Sequence, residues 1–447
     1  MFEEIINTIN LTAQILIILS IVLLSFHIFN FVYGFTKPRK FKDAKINHRY
    51  AIFIPARDES KVIRGILDSL KNQDYPHELY DIYVIVESKF DETINICKEY
   101  ENVNVFVRPN LKVKRKGAAL DQLVKYLLKN DIPSKKGYEA YFIFDADNKV
   151  DSNFLTEMNK TFDQGYDIAM GYRNASNWND SWVSSCSALT FSAVNTFQSK
   201  SKARFFNTIV VSGTGYYIRA SIINELKGWP FQSLTEDAEI SSFATLNNLK
   251  AAYNENTQYY DEQPISAKVS FTQRMRWVKG HGEVSKIYTS KLLKSAFTSK
   301  SNRFIKFMSA LGMVPIIVPV FTVIFNILSM LILALIGRLT YQPALLINLA
   351  LRNAFGWAIS AYTFLALWTL LMLIGERKRI NLTFTNAVKT VLLNPIFTAM
   401  YVPIFICGLF RKVEWTAIPR KVDLEEVELN EENTEKVEKE EGLKNKE

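Results

Sequence analysis

The sequence lacks most of the features that mark secreted, zinc-binding and nucleic-acid-binding proteins. Its three cysteines, Cys97, Cys186 and Cys407, are far apart and form no CxxC pair, which argues against a disulfide framework or a zinc site and fits a reducing compartment. Its basic residues form no stripe interleaved with aromatic residues, so a nucleic-acid partner is not expected. No small-residue cleavage site follows the first long apolar run, so this run is not predicted to be a signal peptide.

Apolar residues are concentrated at the two ends of the chain, although the hydrophobic fraction of 48% is close to a soluble average. Residues 11–35 are long enough to span a bilayer of about 30 Å at about 1.5 Å per residue. A basic cluster at residues 37–45 follows directly, and the positive-inside rule places the next domain in the cytoplasm. Further apolar runs cover residues 304–336, 355–374 and 391–410. The sequence therefore predicts a multi-pass protein of the cell membrane.

The number of membrane crossings stays open at this point. Basic residues lie on both sides of residues 391–410, so both flanks have the character of cytoplasmic loops, which a single crossing does not allow. Either this run is re-entrant or one of the longer apolar runs contains an extra crossing. None of the runs carries a central charged pair, which argues against a transporter.

The net charge of +9 is the sum of two opposite parts. Residues 423–447 contain eleven acidic residues and four lysines, and this tail is predicted to be disordered. The remainder is basic, which suits an anionic membrane leaflet or a phosphate-bearing substrate. We therefore divide the chain into a transmembrane anchor with a basic linker, a cytoplasmic domain, a group of interfacial and transmembrane helices, and a cytoplasmic charged tail, at residues 1–48, 49–301, 302–412 and 413–447.

Short β-rich runs alternate with helical patterns in the predicted cytoplasmic domain. The predicted strands are residues 50–55, 81–86, 103–107 and 140–144. The predicted helices are residues 60–71, 91–100 and 117–129. This alternation implies right-handed crossovers and a doubly wound, mainly parallel α/β sheet. Ligands of such sheets bind at the carboxyl ends of the strands, which is where the notable acidic residues lie.

Asp145 and Asp147 follow the fourth predicted strand. Two carboxylates separated by one residue can share work on one ligand, because one can meet a ribose hydroxyl while the other binds a divalent cation. Mg²⁺ and Mn²⁺ favour such oxygen ligands together with the phosphates of a substrate. A solvated turn is the alternative interpretation, and the position at the end of a strand favours the functional one.

Thr235, Glu236 and Asp237 form a second acidic group. A threonine before acidic residues is a good helix start, with Thr235 as the N-cap and the carboxylates in the first turn. A carboxylate that faces a cleft from this position can also serve as a general base. Both interpretations stay open from the sequence.

The third group, Gln273, Arg276 and Trp277, shares one face of a predicted helix with Gly280. An amide, a guanidinium and an indole together can bind phosphate oxygens and stack on a sugar. The alternative is a basic amphipathic helix that lies on the membrane, and the two interpretations are compatible. The nearby His281 is interpreted as a satisfied polar residue rather than a ligand.

Taken in order, these motifs resemble those of the family-2 membrane glycosyltransferases of the GT-A fold, the group of the cellulose, hyaluronan and poly-N-acetylglucosamine synthases. Each motif alone is weak, but several in order at compatible spacing are specific. The resemblance runs from about residue 50 to residue 281 and is carried by residues 54–59, Glu87 with residues 91–93, Lys116 and Gly117, Asp145 and Asp147, and residues 213–215, 235–237 and 273–277.

The resemblance implies a role for each of these positions. The nucleoside and phosphates of the donor would contact Ala56, Arg57, Glu59, Glu87, Lys116 and Asp145. Asp147 would hold Mg²⁺ or Mn²⁺, and Asp237, beside Glu236 in the family's TED motif, would be the catalytic base. The acceptor and the leaving diphosphate would be flanked by Gln273, Arg276 and Trp277.

Two departures from the family pattern stand out. The family usually has Asp at the position of Glu87 and often Asn at the position of Ser88, which weakens the expected nucleoside contact. Residues 414–420 are loosely similar to the gating loop of processive synthases, without establishing processivity.

The implied function is that of an inverting glycosyltransferase that moves a sugar from a nucleotide-sugar, expected to be a UDP-sugar, to a hydroxyl acceptor. A processive polysaccharide synthase is the favoured version. The alternative is non-processive glycosylation of a membrane lipid, since families of that kind share the DxD and (Q/R)xxRW patterns. A catalytically inactive sugar- or nucleotide-binding membrane protein is the alternative of another class, and the intact Asp145, Asp147 and Asp237 argue against it. The sequence identifies no accessory subunit.

Overall fold

The computed structural model describes residues 2–312, 314–337 and 343–411. The predicted charged tail at residues 413–447 and the segment at residues 414–420 lie outside these described residues. Within the described part, an α/β domain follows an N-terminal helix and precedes a group of long helices.

One mixed sheet forms the centre of the α/β domain. Its strands are β1 (Tyr50–Pro55), β2 (Tyr80–Val86), β3 (Val103–Val107), β4 (Ala140–Ile143), β5 (Lys149–Val150), β6 (Ile168–Ala175), β7 (Tyr216–Arg219) and β8 (Ala251–Asp261). Their order in space is β3-β2-β1-β4-β7-β6-β8-β5. The first four strands pair in parallel, β7 is antiparallel to both neighbours, β8 is parallel to β6, and β5 is antiparallel to β8. The predicted α/β class with a mainly parallel sheet is confirmed.

Helices cover both faces of this sheet and continue into the membrane module. The helices before the acidic motif of residues 235–237 are α1 (Phe2–Gly34), α2 (Ile63–Lys71), α3 (Thr93–Cys97), α4 (Lys116–Lys129), α5 (Ile132–Lys136), α6 (Phe154–Asp163), α7 (Trp182–Val194), α8 (Lys200–Phe206) and α9 (Ala220–Glu225). From that motif onward they are α10 (Glu236–Leu246), α11 (Ala267–Thr298), α12 (Arg303–Leu311), α13 (Val314–Gly337), α14 (Pro343–Glu376), α15 (Phe384–Ala399) and α16 (Tyr401–Phe410). A 3₁₀-helix (His77–Leu79) precedes β2, and a π-helix (Asn195–Ser199) joins α7 to α8.

The strands with the clearest sequence signal are those buried on both faces. Every residue of β1 before Pro55 is buried, and β4 is buried throughout. Parallel strands covered by helices on both faces have continuous apolar sequences, which is why their positions were predictable. Because parallel strands place their carboxyl ends at one edge, the segments after β1, β2 and β4 lie together at that edge of the sheet.

One helix is shorter than its sequence pattern predicts. The helical pattern at residues 91–100 becomes only α3, because Asp91 is used as a turn residue rather than a helical one. Its carboxylate accepts hydrogen bonds from the backbone nitrogen of Thr93 at 2.9 Å and from that of Asp58 at 3.1 Å. The side chain thereby connects α3 to the loop after β1.

Three helical segments are long and apolar enough to cross a membrane: Asn7–Gly34, Ala350–Glu376 and Phe384–Gly408. The predicted apolar run at residues 304–336 divides into α12 and α13, and the apolar part of α13 is the shorter segment Val318–Leu333. The predicted run at residues 391–410 is likewise divided, because α15 ends one residue before Met400 and α16 begins one residue after it.

A buried cluster of charges joins the membrane helices to the α/β domain. Glu376, at the end of α14, accepts a hydrogen bond of 2.7 Å from the hydroxyl of Tyr172 in β6. Glu255 in β8 lies 2.7 Å from the ammonium of Lys200 and 2.8 Å from the guanidinium of Arg379. Since the side chain of Glu255 is only 2% exposed, both cations have a charge partner away from water. The ends of the membrane helices are therefore held in a fixed position on the sheet.

Candidate active site

The loops after β1, β2 and β3 bring two arginines to one carboxylate. Glu87, directly after β2, accepts hydrogen bonds from Arg57 after β1 and from Arg108 after β3, the second at 2.6 Å. Arg108 is a residue that the sequence analysis did not single out, and its side chain is 2% exposed. Glu87 thus lies at the predicted site as a bridge between two guanidinium groups, where the family resemblance leads one to expect an aspartate.

The turn after β4 fixes the two carboxylates of the DxD motif. The backbone nitrogen of Asp145 donates to Thr214 Oγ1 at 2.9 Å and to Asn148 Oδ1 at 3.0 Å. The amide of Asn148 donates in turn to Asp147 Oδ1 at 3.4 Å. Both aspartates are half-buried and line a cavity, so this turn differs from the freely solvated turn that was the alternative interpretation.

Lys116, the first residue of α4, links the DxD motif to the second acidic group. Its ammonium lies 2.5 Å from Asp145 Oδ1 and 3.6 Å from Glu236 Oε1, and it donates to the carbonyl of Gly213 at 2.7 Å. Gly213 has φ +87°, a conformation that favours glycine, and this residue places its carbonyl against Lys116. Burial alone would lower the pKa of Lys116, but the nearby carboxylates outweigh burial and raise it.

Glu236, the first residue of α10, has an unusual proton affinity. Burial raises its pKa from 4.5 to about 7; Lys116 opposes this shift, while Asp237 and Asp145 add to it. The carboxyl group therefore changes its charge near neutral pH. When Glu236 gains or loses its proton, the negative charge near Lys116 changes as well.

Asp237 faces the cavity with one of its two carboxylate oxygens. Its Oδ1 accepts a hydrogen bond of 2.8 Å from the backbone nitrogen of Ala238, and a Cβ placed on Gly213 would lie 3.7 Å from its Oδ2. Thr235 occupies the N-cap position, but its side chain makes no capping hydrogen bond, and its Oγ1 is buried without a partner among the described residues. The predicted helix start is confirmed, because Thr235 is the N-cap residue and the carboxylates lie in the first turn of α10. The same residues line the cavity, so the cleft-facing interpretation also holds.

Helix α11 presents Gln273, Arg276 and Trp277 to the same cavity, as the predicted helical spacing requires. Burial lowers the pKa of Arg276, while the carboxylates of the site oppose this effect. Arg274 points elsewhere: its side chain donates to the carbonyl of Phe397 in α15 at 2.8 Å. The motif thus combines a cavity-facing surface with an anchor to the membrane module.

Three polar residues at the cavity were missed or undervalued by the sequence analysis. Arg173, at the end of β6, forms an ion pair with Asp261, at the end of β8, and its guanidinium carbon lies 3.4 Å from the ring centre of Phe191. Trp277 contacts the same ring edge to face, with centroids 5.5 Å apart. His281 also lines the cavity, where burial lowers its pKa and Asp237 opposes the shift. The pairing of β6 with β8 brings Arg173 and Asp261 together, and no local sequence motif marks this pair.

One cavity of about 1190 Å³ contains the whole predicted site. The predicted residues that line it are Ala56, Arg57, Glu59, Glu87, Lys116, Asp145, Asp147, Glu236, Asp237, Gln273, Arg276 and Trp277. The cavity continues between the membrane helices, where its wall is largely apolar and includes Phe26, Ile305, Phe321, Leu365 and Phe405. The charged predicted site is therefore continuous with an apolar compartment.

The described residues contain no group of three or more His, Cys, Asp or Glu side chains that could hold a metal ion by themselves. Asp145 and Asp147 are nevertheless a suitable pair of oxygen ligands. Mg²⁺ is commonly held by one or two carboxylates together with substrate phosphates, so a site completed by a diphosphate fits these residues.

Comparison with known proteins identifies the family. The profile described as "Glycosyltransferase like family 2" matches residues 48–280, which is more than half of the chain. The chain belongs to glycosyltransferase family 2. It is a membrane-associated glycosyltransferase whose α/β domain has the GT-A-type architecture predicted above.

Named relatives are 23–24% identical to the chain over the aligned residues. A probable glycosyltransferase of Bacillus subtilis is 23% identical over 299 residues, which cover 64% of this chain and 68% of the relative. A β-monoglucosyldiacylglycerol synthase of Nostoc is 24% identical over 271 residues, or 59% of this chain and 56% of the relative. The glucomannan 4-β-mannosyltransferase 7 of Arabidopsis thaliana is 23% identical over 287 residues, or 64% and 48%. The chain thus spans about half the length of the last two.

Among solved structures, a mannosyltransferase of Pyrobaculum calidifontis in complex with GDP-Man and Mn²⁺ is similar to this chain. The sequence identity is 13%, the TM-score is 0.49, and the superposition covers 88% of this chain and 99% of the mannosyltransferase.

Proposed function

We propose that the protein transfers a sugar from a nucleoside-diphosphate sugar, with a UDP-sugar as the expected donor, to a hydroxyl group of a membrane lipid, with inversion at the anomeric carbon. The observation that carries this proposal is the single cavity that joins the acidic site to the apolar space between the membrane helices. A lipid acceptor has matching parts, because its hydroxyl belongs in the polar end and its chains belong in the apolar end. The Nostoc relative is named for a lipid product of this kind.

The donor is placed at the carboxyl ends of β1, β2 and β4. Arg57 and Glu87 would contact the nucleoside beside Ala56 and Glu59, and Lys116 with Asp145 would position the phosphates. This assignment is supported by the way Lys116 connects Asp145 to Glu236 across the strand ends. The nucleotide would have to share Glu87 with Arg57 and Arg108, since both arginines already bind its carboxylate.

In the proposed catalytic step, one carboxylate oxygen of Asp237 acts as the general base. Asp237 Oδ2 would accept the proton of the attacking acceptor hydroxyl, while Oδ1 stays bound to the backbone of Ala238. The acceptor oxygen forms the new bond to the anomeric carbon as the bond to the diphosphate oxygen breaks. Arg276, which lies in the field of Glu236, Asp145 and Asp237, would stabilise the charge that develops on the departing diphosphate.

A divalent cation, Mg²⁺ or Mn²⁺, would complete the site, with Asp147 as the proposed protein ligand. Bound there, it would supply electrostatic stabilisation of the leaving diphosphate. The turn that fixes Asp147 through Asn148 supports this assignment, because a preoriented carboxylate needs little rearrangement on binding.

Purified protein in detergent would be given a panel of nucleotide-sugars with extracted membrane lipids, and the release of nucleoside diphosphate and the lipid products would be measured. We expect a lipid carrying one sugar, activity that is lost in EDTA and restored by Mg²⁺ or Mn²⁺, and no transfer by Asp237→Asn. Because Asp237 acts on the acceptor, Asp237→Asn should still bind the donor. Loss of donor binding in a folded Asp237→Asn protein would contradict the assignment of Asp237 as the general base.

Processive synthesis of a polysaccharide is the second candidate. The aromatic contact of Trp277 with Phe191 at the acceptor side favours it, because aromatic faces stack on sugar rings. The Arabidopsis relative is named for the transfer of mannose to glucomannan. Product sizing separates the two candidates, since a long polymer free of lipid would replace the first proposal by the second.

We further propose that α1, α13 and α14 cross the membrane and that the α/β domain is cytoplasmic. The segment Phe384–Gly408 would be re-entrant, although its length and composition would permit a crossing. This segment contacts the α/β domain near both ends and in its middle: Asn386 donates to Asn179, Phe397 accepts a hydrogen bond from Arg274, and Gly408 lies against Val278. Both of its basic flanks can then lie on the cytoplasmic side.

A further inference from the structure

Lys202 is a lysine of the cavity that has no role in the assignments made so far. Lys202, in α8, lines the cavity together with His27 of α1. Within the described residues, no hydrogen bond or ion pair satisfies its ammonium, and burial lowers the pKa of this group from 10.5 to about 8. Lys200, two residues earlier, has the opposite environment, because Glu255 neutralises it at 2.7 Å. Lys202 is half-buried, so its ammonium is accessible from the cavity and can meet an anionic group of a ligand.

Lys202 lies at the height where the membrane helices meet the α/β domain. Phe206, one turn later in α8, packs against Phe26 of α1 with ring centroids 6.1 Å apart, and Phe304 packs on the same ring at 5.3 Å. His27 follows Phe26 directly. A ligand bound at Lys202 and His27 therefore has its neighbouring atoms among apolar side chains of the membrane helices.

Polar groups of α10 and of the segment after α8 lie between Lys202 and the proposed catalytic base. The backbone carbonyl of Lys202 accepts a hydrogen bond from Thr208, whose hydroxyl lies 2.7 Å from that of Thr245 in α10. Asp237, Ser241 and Thr245 recur at helical spacing along α10 and all line the cavity. Eight residues of α-helix separate Asp237 from Thr245, a distance of about 12 Å.

We propose that Lys202 and His27 bind the phosphate group of the acceptor lipid. The lipid chains would occupy the apolar space beyond Phe26, and the hydroxyl to be glycosylated would lie at Asp237. The favoured acceptor class is therefore a lipid that carries a phosphate group. This inference rests on the proposed lipid acceptor and makes it more specific.

The test uses the full chain in detergent with dioleoyl phosphatidic acid as the probe and dioleoylglycerol as the matched lipid without phosphate. We expect the wild type to bind the phosphatidic acid more tightly than dioleoylglycerol. Lys202→Met should weaken the binding of phosphatidic acid about 10- to 100-fold, the range expected for one charged hydrogen bond, and leave that of dioleoylglycerol unchanged. Arg204→Met, which removes an exposed cation from the same helix, should behave as the wild type.

Two further measurements distinguish the loss of the phosphate site from a loss of folding. Lys202→Met removes a half-buried side chain that has no charge partner among the described residues, so its lipid-free unfolding temperature should stay close to that of the wild type. Lys202→Arg should retain the binding of phosphatidic acid. Equal affinity of Lys202→Met and wild type for phosphatidic acid would overturn the proposal. Displacement of the probe by inorganic phosphate at equal concentration would also overturn it, because the site would then bind free phosphate.

The outcomes separate this inference from the proposed function. Asp237→Asn should bind phosphatidic acid as tightly as the wild type, since the phosphate site is distant from the base. Sugar transfer to lipid without Lys202-dependent binding would remove only the phosphate site. Lys202-dependent binding without any transfer to lipid would retain the phosphate site and remove the proposed acceptor.

Discussion

Gly280→Ala tests how closely α11 must pack against the start of α10. A Cβ at Gly280 would lie 2.5 Å from Cγ2 and Oγ1 of Thr235 and 2.8 Å from its backbone nitrogen. Carbon atoms in normal contact are about 3.5–4.0 Å apart, so the two helices must separate by about 1 Å. Thr235 immediately precedes Glu236 and Asp237, whereas α11 carries Arg276. The substitution therefore moves the proposed base away from the group that would stabilise the leaving diphosphate.

The expected losses of stability and of transfer rate in Gly280→Ala follow from two opposed effects on stability and one effect on the reaction. Overpacking costs about 1–3 kcal/mol, and alanine is favoured over glycine inside a helix by about 1 kcal/mol, so the net loss should not exceed about 2 kcal/mol. A misplacement of about 1 Å in the active site can reduce the rate about 100-fold. We therefore expect a folded protein whose transfer rate is reduced much more than its stability.

Gly282→Ala is the matched control, because a Cβ at Gly282 would have no atom within 4 Å. It lies in the same helix and gains the same helix propensity, so it should be as active as the wild type and slightly more stable. Transfer rate, donor binding and thermal unfolding would be measured for both variants in detergent. Equal transfer rates for Gly280→Ala and Gly282→Ala would refute the packing argument.

Two other predictions concern proton binding and membrane topology. Because burial raises the pKa of Glu236 to about 7, the folded protein binds its proton more tightly than the unfolded chain, so stability should fall as pH rises from about 4.5 to 7. Thermal unfolding in chelator should show this slope in the wild type, and an unchanged slope in Glu236→Gln would contradict the assignment. In a cysteine-free background, Lys378→Cys and Arg411→Cys should both be protected from an impermeant thiol reagent added to intact cells; labelling of only one would mean that Phe384–Gly408 crosses the membrane.

The part of the fold that the sequence predicts is the part with continuous apolar strands. β1 and β4 follow this rule, while β2 and β3 each contain one polar residue, and the positions of all four agree with the predicted ones to within one residue. β8 does not, because it contains Asn254, Glu255 and Thr257, all of which are buried. Each has a polar partner from a distant segment, such as the backbone of Glu157 for Asn254. A strand whose polar residues are satisfied by tertiary contacts has the local pattern of a loop.

The candidate site was predictable where a motif is local and was missed where it is assembled by pairing. Asp145 and Asp147 lie in one turn, and their spacing is visible in the sequence. Arg173 and Asp261 are 88 positions apart and meet only because β6 and β8 are neighbours. The role of Glu87 was also out of reach, because its two arginine partners come from different loops.

Three lysines show why residue type alone does not assign a function. Lys116 has Asp145 and Glu236 as neighbours, so its charge connects the two acidic groups of the candidate site. Lys200 has Glu255, so its charge fixes the membrane helices to the sheet. Lys202 has no such partner among the described residues, although it lies inside the same cavity as Lys116. Since the ammonium of Lys202 is accessible from this cavity, a ligand that carries an anionic group is the simplest physical reason for the position of Lys202.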